Sequence, residues 1–239
     1  MSHPLDNPVR AALLGPQAHL AEGHGAVLRF PPDVCPFLGL PDEPDLAAWH
    51  EAAHLLGPGA LILYTLDATP PPGWEVNGIG TGVQMIDVSM RAAPDPEAVR
   101  LTAADVPEML DLVARAKPGP FLPRTIEMGT YLGIRHGGTL VAMAGERMHP
   151  PGWTEISAVC TDPAQRGQGL AGRLVRAVAA GIRARGERPF LHTLADNTNA
   201  IRLYERLGFE IRRTVAFRAV RIPVSAPAPR PSEADEPVA

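Results

Sequence analysis

The sequence predicts an α/β (α+β) fold with its chemistry in the second half of the chain, and three observations carry that expectation. Apolar runs of strand length alternate with three helical patterns between about residues 97 and 222. The pair Gly137-Gly138 joins two of those runs as a hairpin turn would. Another run passes through a glycine-rich loop straight into a long amphipathic helix, over residues 159–185.

In the first part, Ala26 to Phe30 reads as a short strand. Leu46 to Leu56 reads as a helix, started near Asp42 or Asp45 and ended by Gly57-Pro58. Ala60 to Leu66 and Val83 to Met90 read as strands on either side of the triplet Pro70-Pro71-Pro72. Gly78, Gly80 and Gly82 alternate with other residues, but no strand-then-helix context makes them a nucleotide loop, so they indicate a flexible or closely packed strand edge. Pro94-Asp95-Pro96 is the internal boundary, because a complete pattern restarts after it. That divides the chain into an N-terminal region, 1–96, a second domain, 97–222, and a tail, 223–239, whose proline, alanine, serine and acid content predicts disorder.

The second part reads more clearly. Ala98 to Leu101 is a short strand, and Thr102 caps a helix over Asp105 to Ala116 with Val106, Met109, Leu110 and Val113 on its apolar face. Gly129 to Arg135 and Thr139 to Met148 form the hairpin, and Gly152 to Thr161 is the next strand. A helix over Gly169 to Arg185 buries Leu170, Leu174, Val175, Val178 and Ile182. Pro189 to Leu194 is a strand, Thr198 to Leu207 a helix ended by Gly208, and Phe209 to Ile222 a pair of strands meeting at a bend near Arg213.

Composition narrows the classes of function. The 239 residues are 45% hydrophobic, which is globular composition, and 22 basic against 26 acidic side chains give a net charge of −4. Nucleic-acid binding, which shows as a basic excess, is not expected. Cys35 and Cys160 lie far apart and fit no metal or redox spacing, which points to a reducing compartment. Neither a signal-peptide pattern nor a window of about 18 uncharged apolar residues occurs, so no membrane span is expected and the location reads as cytoplasmic.

The chemistry-bearing segment is Val159-Cys160-Thr161-Asp162-Pro163-Ala164-Gln165-Arg166-Gly167-Gln168-Gly169-Leu170-Ala171. A helix start offers free amides and the positive end of the helix dipole, both of which favour a bound anion. Gly167 and Gly169 remove side chains that would block a phosphate, and Arg166 and Gln168 add donors. It is neither a dinucleotide fingerprint, for want of a third glycine, nor a Walker loop, for want of a Gly-Lys-Ser/Thr ending. A tight loop with no ligand has the same composition.

The run Arg166-Gly167-Gln168-Gly169-Leu170-Ala171 resembles the acetyl-CoA pyrophosphate loop of the GCN5-related N-acetyltransferases. A second signature follows, with Asn197, Ala200 and then Leu203-Tyr204-Glu205-Arg206-Leu207-Gly208-Phe209. The resemblance spans roughly residues 97–222. It implies the acyl-CoA N-acyltransferase fold, a mixed and mostly antiparallel sheet flanked by helices, whose fourth and fifth strands splay to admit acetyl-CoA. It also implies backbone pairing of the pantetheine arm with Val159 and Thr161, and the pyrophosphate on the amides from Arg166 to Ala171. Asn197 would then bond the cofactor arm, and Tyr204 would protonate the leaving thiolate. The activity implied is transfer of an acetyl or longer acyl group to an amine by direct attack in a ternary complex, with no metal. Glu155 is the candidate base: it stands four residues before Val159, and period-two alternation places both on one face. A solvated strand carboxylate is the ordinary alternative for it. Glu127 is a weaker candidate, from the region that shapes the acceptor pocket in that family.

His50-Glu51-Ala52-Ala53-His54 matches the zincin pattern on a predicted helix. The third ligand a catalytic zinc needs is not evident: Ala60 stands where an extended motif would have histidine, and Glu75 follows a proline triplet. Two ordinary histidines on a helix are the expected reading, with a zinc hydrolase as the remote one. Some relatives of the acetyltransferase family, the FR47-like and glycine N-acyltransferase-like proteins, carry a degenerate copy of the fold ahead of the active one. Residues 1–96 fit either that arrangement or an extension covering the acceptor side. A small-molecule amine or a protein amine remains open as acceptor, as does the oligomeric state. A non-catalytic acyl-CoA-binding module is the alternative function.

Overall fold

The computed structural model of the protein describes residues 3–78 and 80–224. Asn7 caps α1 (Pro8–Leu13), and Pro8 opens it, where the missing N–H would have had no helical partner. β1 (Glu22–His24), β2 (Val27–Arg29) and β3 (Leu38–Gly39) form a small antiparallel sheet. Asp45 caps α2 (Leu46–Leu56) by accepting from the Ala48 amide at 2.9 Å, and Gly57 ends it in a conformation with φ 84°. β4 (Leu61–Tyr64), β5 (Glu75–Val76) and β6 (Gly80–Asp87) follow.

After the Pro94–Pro96 turn comes β7 (Val99–Arg100), then a reciprocal capping box between Thr102 and Asp105 that leads into α3 (Val106–Ala116). β8 (Tyr131–His136) and β9 (Thr139–Glu146) make the expected hairpin through Gly137-Gly138. β10 (Trp153–Thr161), α4 (Leu170–Ala184), β11 (Arg188–Leu194), α5 (Thr198–Leu207) and β12 (Phe209–Arg221) complete the chain.

Nine strands form one mixed sheet in the order β4-β12-β6-β11-β10-β9-β8-β7, with β5 beside β12. Its pairings are antiparallel except β10 with β11. On one face α4 and α5 pack Leu174, Val178, Ile182 and Leu207 against Met85, Ile134, Ala142, Leu191 and Phe209. On the other, α3 covers Tyr131, Met143 and Cys160, while α1 and the segment through Phe37 cover Trp153 and Phe190. Among the described residues no helix is long and apolar enough to cross a membrane.

The structure corrects two expectations. The strand pair expected from Phe209 to Ile222 is one strand of 13 residues; near Arg213 a bulge between Ile211 and Arg213 bends β12 without reversing it. Its neighbour comes instead from the first part of the chain, because β6 lies between β11 and β12. Strands from both sides of Pro94–Pro96 therefore share a sheet, and β6 is an interior strand, not an edge. At Gly82 an added Cβ would lie 2.1 Å from the Phe217 ring, so the glycine is what lets that ring lie across β6. Of the tail expected from residue 223, residues 225–239 lie outside the described residues.

Candidate active site

β10 and β11 stay paired for only three residues, with Trp153, Thr154 and Glu155 opposite Arg188, Pro189 and Phe190. Beyond Glu155 they part, and the cause lies in β10. Ala158 has φ 51°, and the register with β9 slips so that Ser157 faces Gly145 while Cys160 faces Met143. Two residues on β10 thus oppose one on β9, which is a bulge, and a bulged strand bends away from its neighbour. A left-handed alanine costs about 1–2 kcal/mol, a strain the surrounding sheet holds in place. The gap opens a cavity of about 880 Å³ lined by residues from both faces of the sheet.

At one end the cavity is lined by Arg166, Gly167, Gln168, Gly169, Leu170 and Ala171. Gly167 and Gly169 have φ 82° and 76°, and a Cβ at either would meet nothing within 4 Å, so the approach to the first amides of α4 is open. The Asp162 carboxylate accepts from the Ala164 amide at 2.9 Å and from Arg115 at 2.8 Å, which fixes the entry to the loop. Val159 and Thr161 line the cavity on the part of β10 that has left β11, and Thr161 Oγ1 is buried without a protein partner among the described residues. Open amides, an unpaired strand edge and an orphaned hydroxyl suit an extended ligand ending in phosphates.

Asn197 caps α5, its Oδ1 accepting from the Ala200 amide at 3.2 Å, and it lines the cavity together with Tyr204. The Tyr204 ring packs edge-on against Phe209, with centroids 6.0 Å apart. Burial, helped by the nearby Cys160, pushes its phenol up to about 12, so it carries its proton at neutral pH. Cys160 lines the cavity as well, and burial pushes its thiol up to about 12.

Glu155 is placed differently from the expectation. The alternation that would put it on the face of Val159 crosses the bulge, where the extra residue inverts the parity. Ile156 and Val159 both pack on the α4 face, whereas Trp153 packs on the other. Glu155 is 0% exposed, is not among the cavity-lining residues, and receives Arg147 Nε at 2.9 Å and Nη2 at 2.8 Å. Burial alone would raise its carboxyl, but the Arg147 charge and hydrogen bonds outweigh that, aided by His192, and hold it at about 2. Glu127 lies outside the cavity in an exposed pair with Arg124 at 2.7 Å.

Two residues that the spacing did not single out, Arg147 and His192, do line the cavity. The His192 tautomer follows from its partners. Arg212 donates to Gln84 Oε1 at 2.8 Å, which fixes Gln84 Nε2 as the amide nitrogen; that nitrogen donates to the Leu5 carbonyl at 2.8 Å and meets His192 Nε2 at 3.1 Å. His192 Nε2 is therefore an acceptor, and Nδ1–H donates to Glu155 Oε1 at 2.8 Å. Phe37, Leu63 and Phe217 complete this end of the cavity. Of the five, Phe37 and Leu63 come from the first part of the chain and meet in an isolated bridge, a long-range pairing with no local sequence signal.

The zincin-like motif has a structural use. Glu51 Oε2 accepts from the Ala26 amide at 2.7 Å and so clasps the turn between β1 and β2, while the His54 ring lies 4.2 Å from that of His24. Among the described residues no group of three or more His, Cys, Asp or Glu could hold a metal ion.

Comparison with known proteins agrees with this geometry. The FR47-like protein family model matches residues 131–218. A crystal structure of a putative acetyltransferase from the GNAT family of Novosphingobium aromaticivorans is 42% identical, with a TM-score of 0.84 over 92% of this chain and 98% of that one. The N-alpha-acetyltransferase RimI of Mycobacterium tuberculosis is 35% identical over 133 residues, covering 51% of this chain and 83% of its own. The mycothiol acetyltransferase of Saccharopolyspora erythraea is 30% identical over 195 residues, 71% of this chain, and the match spans 61% of that protein's length.

Proposed function

The chain belongs to the GCN5-related N-acetyltransferase (GNAT) family, and on that premise we propose that it transfers an acetyl group from acetyl-CoA to an amine by direct attack in a ternary complex. The observation that carries the reading is the bulge at Ala158. It opens one cavity that runs from a helix-start anion seat on the α4 face to an aromatic-lined end on the opposite face. Two substrates can therefore approach one point from opposite sides.

Acetyl-CoA supplies the activated acyl group as a thioester. Residues Arg166 to Ala171 hold its pyrophosphate with main-chain amides, and the open edge of β10 at Val159 and Thr161 pairs with its pantetheine arm beside Asn197. Tyr204 donates its phenolic proton toward the sulfur as the carbon–sulfur bond breaks. A phenol held at about 12 is a weaker acid than an ordinary thiol. Its proton therefore moves in concert with loss of the amine's proton, not ahead of it. Glu155, held at about 2 and walled off, is too weak a base to act directly. It acts instead as a positioning residue, fixing Arg147 and His192 at the far end of the cavity, and the amine's proton passes to water in the open cavity. Cys160 stays protonated and is a poor nucleophile, which supports direct transfer over an acyl-cysteine route.

Thiol release from acetyl-CoA, screened against a library of amines, tests the proposal. Acceptor-dependent CoA release with an N-acetylated product is the expected result. Tight acetyl-CoA binding without turnover on any amine would identify a binding module instead.

A further inference from the structure

The end of the cavity away from the phosphate loop has a composition that selects among amines. Its apolar wall is Phe37, Leu63 and Phe217, and the Arg147 guanidinium stacks over Phe37 at 5.1 Å from the ring centroid. Arg147 commits Nε and Nη2 to Glu155, which leaves Nη1 with protons and, among the described residues, no protein acceptor. Lys117, at the end of α3 on the same face of the sheet, lines the cavity too. Glu155 faces Arg147 and His192, and among the described residues no Asp or Glu lines the cavity. Arg166 and Arg206 add two more cations along the cavity.

We infer that the acceptor is a primary amine with an apolar body and a carboxylate, the chemistry of an apolar α-amino acid. This deepens the acetyl-transfer reading and rests on it. A polyamine or aminoglycoside would bring two or more ammonium groups to a wall that offers cations and aromatic rings, with no carboxylate to receive them. An apolar side chain, by contrast, buries against Phe37, Leu63 and Phe217, and the carboxylate receives a charge-assisted hydrogen bond from Arg147 Nη1.

The test compares acceptors, so the protein stays unaltered and folding is not at issue. L-phenylalanine and L-leucine are set against phenylalaninamide and leucinamide, phenethylamine and isoamylamine, and spermidine. CoA release from acetyl-CoA is one readout. Calorimetric binding of N-acetyl-L-phenylalanine and of its amide to the protein saturated with CoA is the other. The carboxylates are expected to exceed their amides and decarboxylated analogues by about 10- to 100-fold in kcat/KM, the effect of one hydrogen bond to a charged group, with the same order in product binding. Equal or better turnover of the amides, the plain amines or spermidine overturns this assignment and leaves acetyl transfer standing. No turnover of the amino acids, by protein that acetylates another amine of the library, overturns this assignment alone; no turnover of any amine in the library, by protein that binds acetyl-CoA, overturns both.

Discussion

Arg147 grips Glu155 with two parallel hydrogen bonds, Nε at 2.9 Å and Nη2 at 2.8 Å, beneath the sheet surface where the carboxylate is 0% exposed. The same carboxylate accepts from His192 at 2.8 Å, so one buried anion orients two cavity-lining side chains. Few arrangements in the molecule are as exacting, because a charge removed from water is tolerated only while its partner stays.

Glu155→Gln leaves Arg147 buried without its counter-charge and should cost about 3–5 kcal/mol in urea denaturation, whereas a double replacement of Arg147 and Glu155 by Met should cost much less. The pH dependence has a definite sign. Glu155 is held at about 2, below its ordinary 4.5, so its stabilisation is complete above about pH 5 and disappears as pH falls through about 2. The stability gap between wild type and Glu155→Gln should narrow over that window. A constant gap would show that the pair is not what holds the site.

Ala158 should report on the bulge. Ala158→Gly relieves a left-handed alanine and should stabilise the fold by up to about 1 kcal/mol while leaving acetyl-CoA affinity unchanged. Ala158→Val, β-branched and poorly suited to φ 51°, should lose both stability and affinity. Full acetyl-CoA binding by a folded Val variant would separate the splay from the cofactor site.

Gly169→Trp places a bulky ring in the open approach to the α4 amides at a position with φ 76°. Acetyl-CoA affinity should fall by roughly 10² or more, since the anion contacts and the space are lost together. Titration calorimetry on the folded variant measures it, and unchanged affinity would remove the phosphate loop from the account.

Chelation should leave acetyl transfer intact. Glu51 is engaged with the Ala26 amide and His54 with His24, so elemental analysis of protein purified without added metal should find far less than one zinc per chain. Glu51→Ala should loosen the β1–β2 turn, seen as faster amide exchange at Ala26, without changing turnover. Stoichiometric zinc, with activity lost on chelation, would restore the metal reading.

The parts of the molecule that were legible in the sequence are those fixed by local chemistry. Thr102 announces α3, Gly137-Gly138 a hairpin, and the glycine-rich run from Arg166 to Ala171 the start of a long helix, and each of these elements stands where the spacing put it. The rest depends on contacts between distant segments. No local pattern marks β6 as the partner of both β11 and β12, because an apolar run does not name its neighbours. Glu155 was misplaced for a sharper reason: alternation holds only in a regular strand, and the extra residue at Ala158 inverts it. Arg147 and His192 escaped notice because what makes them cavity residues is the Glu155 carboxylate between them, 8 and 37 positions away in the chain.

The central claim, that the cavity carries out acyl transfer with Tyr204 supplying a proton to the leaving sulfur, is tested most directly by Tyr204→Phe. The change keeps the ring and its contact with Phe209 but removes the hydroxyl proton. With a turned-over acceptor and saturating acetyl-CoA, kcat should fall by about 10² to 10⁴, the usual range for general acid catalysis. The dissociation constant of acetyl-CoA, measured by calorimetry, should stay within about twofold, because the α4 amides and the β10 edge are untouched. A folded Phe variant retaining more than about half the wild-type kcat, in single-turnover experiments that exclude product release as the slow step, would contradict the account.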